Sequence, residues 1–80
     1  MGQVRDDILL REIAKKVKDL RRGKKMSQLE LLFELNIHIG RIEAGKNNLT
    51  ISSLNVICKY FDLTLGEFFT ELEKGDKKKA

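Results

Sequence analysis

The stretch Ser27-Gln28-Leu29-Glu30-Leu31-Leu32-Phe33-Glu34-Leu35-Asn36-Ile37-His38-Ile39-Gly40-Arg41-Ile42-Glu43-Ala44-Gly45 decides how this chain folds. Ser27 and Glu30 have the spacing of a capping box, in which each side chain bonds the other's backbone N–H, so a helix starts at Gln28. Its core stripe is Leu31, Leu32 and Leu35. Asn36 tolerates the left-handed conformation that a tight helix-ending turn requires. The next piece, Ile37 to Ala44, is short and ends at Gly45. Two short helices around a turn are therefore one reading. The other removes the turn and makes Gln28 to Ala44 one helix of seventeen residues. Leu31, Leu32, Leu35, Ile39 and Ile42 then share about 100° of arc, and Leu29, Phe33, Ile37 and Ala44 share about 80° on the opposite side. A helix apolar on two sides needs a partner chain, as in a swapped dimer. Asn36 and Gly40 within it weigh against this second reading.

Outward from that stretch the chain reads as short helices without strands, because apolar and polar residues nowhere alternate over four to eight positions. Leu9, Ile13, Val17 and Leu20 form one helical stripe, capped at its start by Asp6 or Asp7 and ended by Gly23. After the polar loop Lys46-Asn47-Asn48, Thr50 caps a helix running to about Phe61, with Leu54, Ile57, Cys58 and Phe61 on its stripe. Thr64 with Glu67 is a second capping box. It opens a last helix carrying Leu65, Phe68, Phe69 and Leu72. Residues 1–73 read as one domain, and 74–80 as a short, basic, disordered tail.

Composition narrows the class. Eighty residues make one small domain. Sixteen Lys and Arg against twelve Asp and Glu leave a net charge of +4. The charge is uneven: seven basic residues and one acid lie between Lys15 and Lys25, whereas four acids and no base lie between Tyr60 and Glu73. One positive side suits a polyanion. A single cysteine makes no internal disulfide, and one Cys with one His makes no closed zinc site. No apolar run is long enough to cross a bilayer, and no signal-peptide core opens the chain. A soluble cytoplasmic protein without a cofactor is the expectation. Catalysis is not expected: His38 is the only histidine, no Ser or Cys has an evident base, and the glycines are scattered rather than gathered in a phosphate loop. Cys58, on the stripe of its helix, reads as a small buried hydrophobe.

Several segments, in order, resemble the Xre-type, Cro-like phage-repressor family of helix-turn-helix proteins. They are Met26-Ser27-Gln28, Glu30-Leu31, Leu35-Asn36-Ile37, Arg41-Ile42-Glu43-Ala44-Gly45-Lys46, Asn48-Leu49-Thr50-Ile51 with Leu54, and Phe61-Asp62-Leu63-Thr64-Leu65 with Glu67-Phe68-Phe69. The resemblance implies an all-α, small five-helix repressor-like bundle, whose third helix enters the DNA major groove. It implies a sequence-specific transcriptional regulator acting as a homodimer on palindromic double-stranded DNA, with no membrane partner and no small-molecule effector. The four acids and paired phenylalanines near the carboxy-terminal end are similar to those of controller-type dimers, which puts Leu65, Phe68, Phe69 and Leu72 at the core or the dimer contact.

The candidate DNA-binding residues follow from chemistry laid over that resemblance. Ser27 and Gln28 open a helix whose unpaired N–H groups favour a phosphate, and the Gln28 amide suits a phosphate or an adenine edge. His38 and Arg41 lie in the recognition segment. Lys46, Asn47 and Asn48 follow it, a frequent phosphate-contact position in the family. Arg22, Lys24 and Lys25, with Arg21, supply attraction and backbone contacts. Glu43 reads as structural, since family members often pair a glutamate there with a first-helix arginine, for which Arg21 is the candidate.

The sequence departs from the family at two places. Between Gln28 and Ile42-Glu43 the family has about three more residues, at the turn and the start of the recognition helix. Leu32 stands where the family has alanine, which would overpack a close helix crossing by roughly 1–3 kcal/mol. The alternative function is accordingly a dimeric helical scaffold that has lost specific DNA reading through a shortened recognition helix.

Overall fold

The computed structural model describes residues 6–45 and 49–79, with side chains through Lys74. It contains α1 (Asp7–Gly23), α2 (Gln28–Leu35), α3 (Ile39–Glu43), α4 (Ile51–Tyr60) and α5 (Leu65–Lys79), and no strand among the described residues. The chain divides into two compact units, Met1–Leu49 and Thr50–Ala80. The division falls inside the span read from sequence as one domain. α5 also runs past residue 74, where a tail is expected; Lys and Asp without proline can extend a helix backbone.

Local signals set the helix starts. The Asp6 carboxylate accepts from the Leu9 N–H at 3.0 Å and caps α1. In the capping box of α2, Glu30 N–H donates to Ser27 Oγ at 3.1 Å and Ser27 N–H donates to Glu30 Oε1 at 2.8 Å. Thr50 Oγ1 accepts from the Ser53 N–H at 3.1 Å. The Thr64–Glu67 box is closed in both directions, at 2.9 and 3.0 Å.

Helix ends are less predictable. α1 does stop at Gly23, but the left-handed residue is Lys25, at φ 57°. Met26 N–H donates to Arg21 O at 3.2 Å and Lys25 N–H to Arg22 O at 2.9 Å, the paired bonds of a Schellman motif. Asp62, at φ 60°, ends α4 in the same way, with Leu63 N–H bonded to Cys58 O at 2.8 Å.

In the first unit α3 packs on both α1 and α2. The core is Leu10, Ile13, Ala14 and Val17 of α1, Leu31 of α2 and Ile39 of α3. The α1 stripe is thus turned from the expected one. Leu9 is 38% exposed and Leu20 half-buried, while Leu10, Ala14 and Arg21 go inward. Arg21 rotates the face because its guanidinium has a buried partner in α3. Only Leu31 of the expected α2 stripe is buried; Leu32 and Leu35 are half-exposed. The overpacking expected at Leu32 does not arise, because its side chain borders an open groove between α2 and α3.

The fused helix is excluded by the turn at 36–38. Asn36 adopts φ 55° and ψ 38°, and its N–H closes on Leu32 O at 2.7 Å. Of the second apolar arc, Phe33 is 80% and Leu29 59% exposed, while Ile37 is half-buried. An alanine at Asn36 should destabilise the protein by up to about 1 kcal/mol, because it keeps the Cβ penalty of the left-handed region and loses the short polar side chain that offsets it. A glycine should be tolerated. Urea unfolding of the two variants checks this, and equal stabilities would sink the explanation.

In the second unit α4 packs on α5. The α4 stripe Leu54, Ile57, Cys58 and Phe61 is buried as expected, together with Phe68 of α5. Leu65, Phe69 and Leu72 remain half-buried.

Candidate nucleic-acid interface

α2, a three-residue turn and α3 stand as a helix-turn-helix. Its geometry is fixed by one part-buried polar cluster. Arg21 of α1 donates from Nε to Glu43 Oε2 at 2.7 Å and from Nη2 to Glu43 Oε1 at 2.9 Å. The third donor, Nη1, reaches Met26 O at 2.7 Å in the α1–α2 turn. Gln28 Nε2 donates to Glu43 Oε1 at 3.0 Å. The Glu43 carboxylate at the end of α3 thereby ties α1 to the start of α2, and Arg21 adds the loop between them. The two charged side chains are 10% and 3% exposed. Planar guanidinium against carboxylate is the strong, directional form of ion pair.

The electrostatics follow. Burial pushes the Glu43 carboxyl up, but hydrogen bonds from Arg21 and Gln28 and the charges of Arg21 and Lys18 outweigh it, so its pKa lies below the ordinary value. The hydrogen bond to Glu43 raises the pKa of Arg21 over the opposing effect of burial.

Two glycines make the close approaches possible. A Cβ on Gly40 would lie 3.3 Å from Gln28 Oε1, so the bare backbone there lets Gln28 lie across α3. Gly45, at φ 68°, would place a Cβ 3.4 Å from the Arg11 Cα, where α3 ends against α1.

Gln28, His38 and Arg41 come together around the groove between α2 and α3, which Leu29, Leu32, Ile39 and Gly40 also line. His38 is the N-cap residue of α3 but makes no side-chain cap bond. It and Arg41 are exposed, as are Arg22, Lys24 and Lys25 at the end of α1 and in the following turn. Ser27 Oγ is engaged as the cap of α2. Gln28 Nε2 is engaged by Glu43 through one N–H, and Oε1 lies against Gly40. Lys46, Asn47 and Asn48 lie outside the described residues. Phe68 has no exposed surface and is core, so it leaves the expected dimer-contact set.

Sequence reading missed the capture of Gln28 by Glu43, fifteen residues away. It also missed Arg11, which stands outside the basic run yet shares a cleft with Lys15 and Lys18. The four-and-three spacing of those three residues was the available signal.

Helix order, turn and buried anchor together define a helix-turn-helix protein of the repressor kind. No protein-family model matches the chain, nor does any curated protein. Among solved structures, the wild-type restriction-modification controller protein C.Esp1396I is 33% identical with a TM-score of 0.78, over 91% of this chain and 99% of that one. The C.Esp1396I tetramer in complex with its natural 35-base-pair operator is also 33% identical, with a TM-score of 0.74 over 86% of this chain and 95% of that one. The chain belongs to this family of helix-turn-helix restriction-modification controller proteins.

Proposed function

We propose that the protein is a DNA-binding transcription regulator, not an enzyme, acting in the cytoplasm as a homodimer on a palindromic operator. The observation that carries this is the likeness, at 33% identity over nearly the whole chain, to a controller protein crystallised on its operator. The net charge of +4 fits a polyanionic partner. In this reading Arg22, Lys24, Lys25 and Ser27 meet phosphates, together with Lys46, Asn47 and Asn48. His38 and Arg41 reach base edges, and the Gln28 amide meets a phosphate or an adenine edge. The homodimer uses the half-buried Leu65, Phe69 and Leu72 of α5. No cofactor or effector takes part.

One observation favours the second reading, a family member with little specific recognition. α3 has five residues, Ile39–Glu43. That suits the loss of about three residues, relative to the family, from the segment that normally carries base-reading side chains. Selection from randomised palindromes, followed by competition gel shifts, decides between the two. The first reading expects one site bound roughly 10³-fold or more tighter than random duplex. The second expects equal binding to all duplexes, erased by moderate salt.

A further inference from the structure

α1 carries three cations, Arg11, Lys15 and Lys18, outside the proposed DNA contacts, and Arg22, which is among those contacts, continues their row. Arg11, Lys15, Lys18 and Arg22 are spaced by four, three and four residues. At about 100° per residue they share about 60° of arc, and the row extends about 16 Å along the helix. The core side of α1, with Leu10, Ile13, Ala14, Val17 and Arg21, is centred about 120° away. Arg11, Lys15 and Arg22 are exposed, and Lys18 is half-buried. Lys15 pairs with Asp19 at 3.1 Å, with both side chains mostly in water, where such pairs are weak. Asp7 stands at the amino-terminal end of the row, and Glu12 and Asp19 lie along one edge. Among the described residues no carboxylate pairs with Arg11 or Arg22. Like charges at helical spacing repel, and a polyanion relieves that repulsion.

The ends of the row are placed by packing. Arg11, Lys15 and Lys18 line a cleft with Glu43, Ala44 and Gly45. From Gly45 the sequence continues into Lys46-Asn47-Asn48. At the other end Arg22 leads through Lys24 and Lys25 to Ser27, the cap of α2. At this end the row therefore adjoins the turn and helix start proposed to meet DNA.

We infer that this row is a second phosphate-contacting surface, which takes the sugar-phosphate backbone of duplex DNA beside the stretch met by α2 and α3. The inference rests on the DNA-binding reading and extends its footprint along α1. A five-residue α3 offers few base contacts, so backbone contacts of this kind carry a larger share of the binding.

The test uses the full chain, a random-sequence DNA duplex and a salt titration. The variant is Arg11→Gln with Lys15→Gln and Lys18→Gln, since glutamine keeps helix propensity. The control is Lys16→Gln with Lys59→Gln and Lys74→Gln, which removes the same charge off the row. Circular dichroism confirms helix content. The slope of log affinity against log salt should fall by up to about 2.7 in the row variant, at about 0.9 per lost phosphate contact, and stay near wild type in the control. Should the triple variant lose helix content, the single substitutions Arg11→Gln and Lys18→Gln carry the test, each with a fall of about 0.9. Equal slopes for wild type and row variant overturn the inference alone, as does an equal fall in the control. Row-dependent binding to anionic lipid vesicles with an unmoved DNA slope overturns it in favour of a membrane surface. If wild type binds no DNA even at low salt, the DNA-binding reading fails and takes the inference with it.

Discussion

Replacing Glu43 with alanine should destabilise the protein by about 3–5 kcal/mol, the range for breaking a buried ion pair by removing one partner. At about 0.05–0.15 kcal/mol per residue, an 80-residue chain holds only about 4–12 kcal/mol in all. The loss is large because Arg21, 8% exposed, would keep its charge without a counter-ion, and Gln28 would lose its acceptor. The effect should depend on pH with a definite sign. The folded-state pKa of Glu43 is depressed, so its contribution is complete above the ordinary carboxylate pKa of the unfolded chain. It is lost as pH falls through the depressed folded value. Urea unfolding of wild type and Glu43→Gln should therefore show a gap at neutral pH that closes in acid. A gap that persists at acid pH, or that is absent at neutral pH, would remove the carboxylate from its place as anchor. Replacing both partners, by Arg21→Met and Glu43→Leu, should be less harmful than removing one, since no charge is then left buried.

The second large effect separates core from contact surface in α5. Phe68 is fully buried, and Phe68→Ala should be destabilising by about 3–5 kcal/mol through lost burial and a residual cavity. Phe69, one residue on and packed edge-to-face against Phe68 at 5.3 Å between ring centroids, is only half-buried. Phe69→Ala should cost the monomer much less. If Phe69 serves the homodimer, its loss should appear as weakened self-association in sedimentation at low protein concentration, with the unfolding midpoint of the monomer little changed. Equal monomer destabilisation by both alanines would overturn this division of roles.

Four of the five helix starts were legible because they depend on residues three apart; α3, which has no side-chain cap, starts two residues later than read. Asp6, Ser27 with Glu30, Thr50, and Thr64 with Glu67 each satisfy nearby N–H groups. The left-handed Asn36 was legible for the same local reason. Lys25 was not, because Schellman hydrogen bonds hold an ordinary side chain in a conformation its chemistry does not advertise; Asp62 carries the same local signal as Asn36 and was passed over. The facing of α1 was off because Arg21 counts as polar in any periodicity, yet its partner draws it inward. Periodicity in α2 overstated burial for a related reason. A five-residue α3 is too short to cover Leu32 and Leu35. At the candidate interface, the Arg21–Glu43 pair was legible only through the family resemblance, since it joins residues 22 apart. The clamp on Gln28 has no signature within any single helix.

Cys58 gives the second unit a built-in clock. Its thiol sits in α4 with no exposed surface. A thiolate reacts only where reagent and water can reach it. Alkylation of the native protein must therefore wait for α4 to part from its packing. When reclosing outpaces labelling, the rate of that single reaction measures the fraction of time the carboxy-terminal half spends open. One chemical handle, placed by nature on the inner side of one helix, thus reads local breathing without any change to the chain.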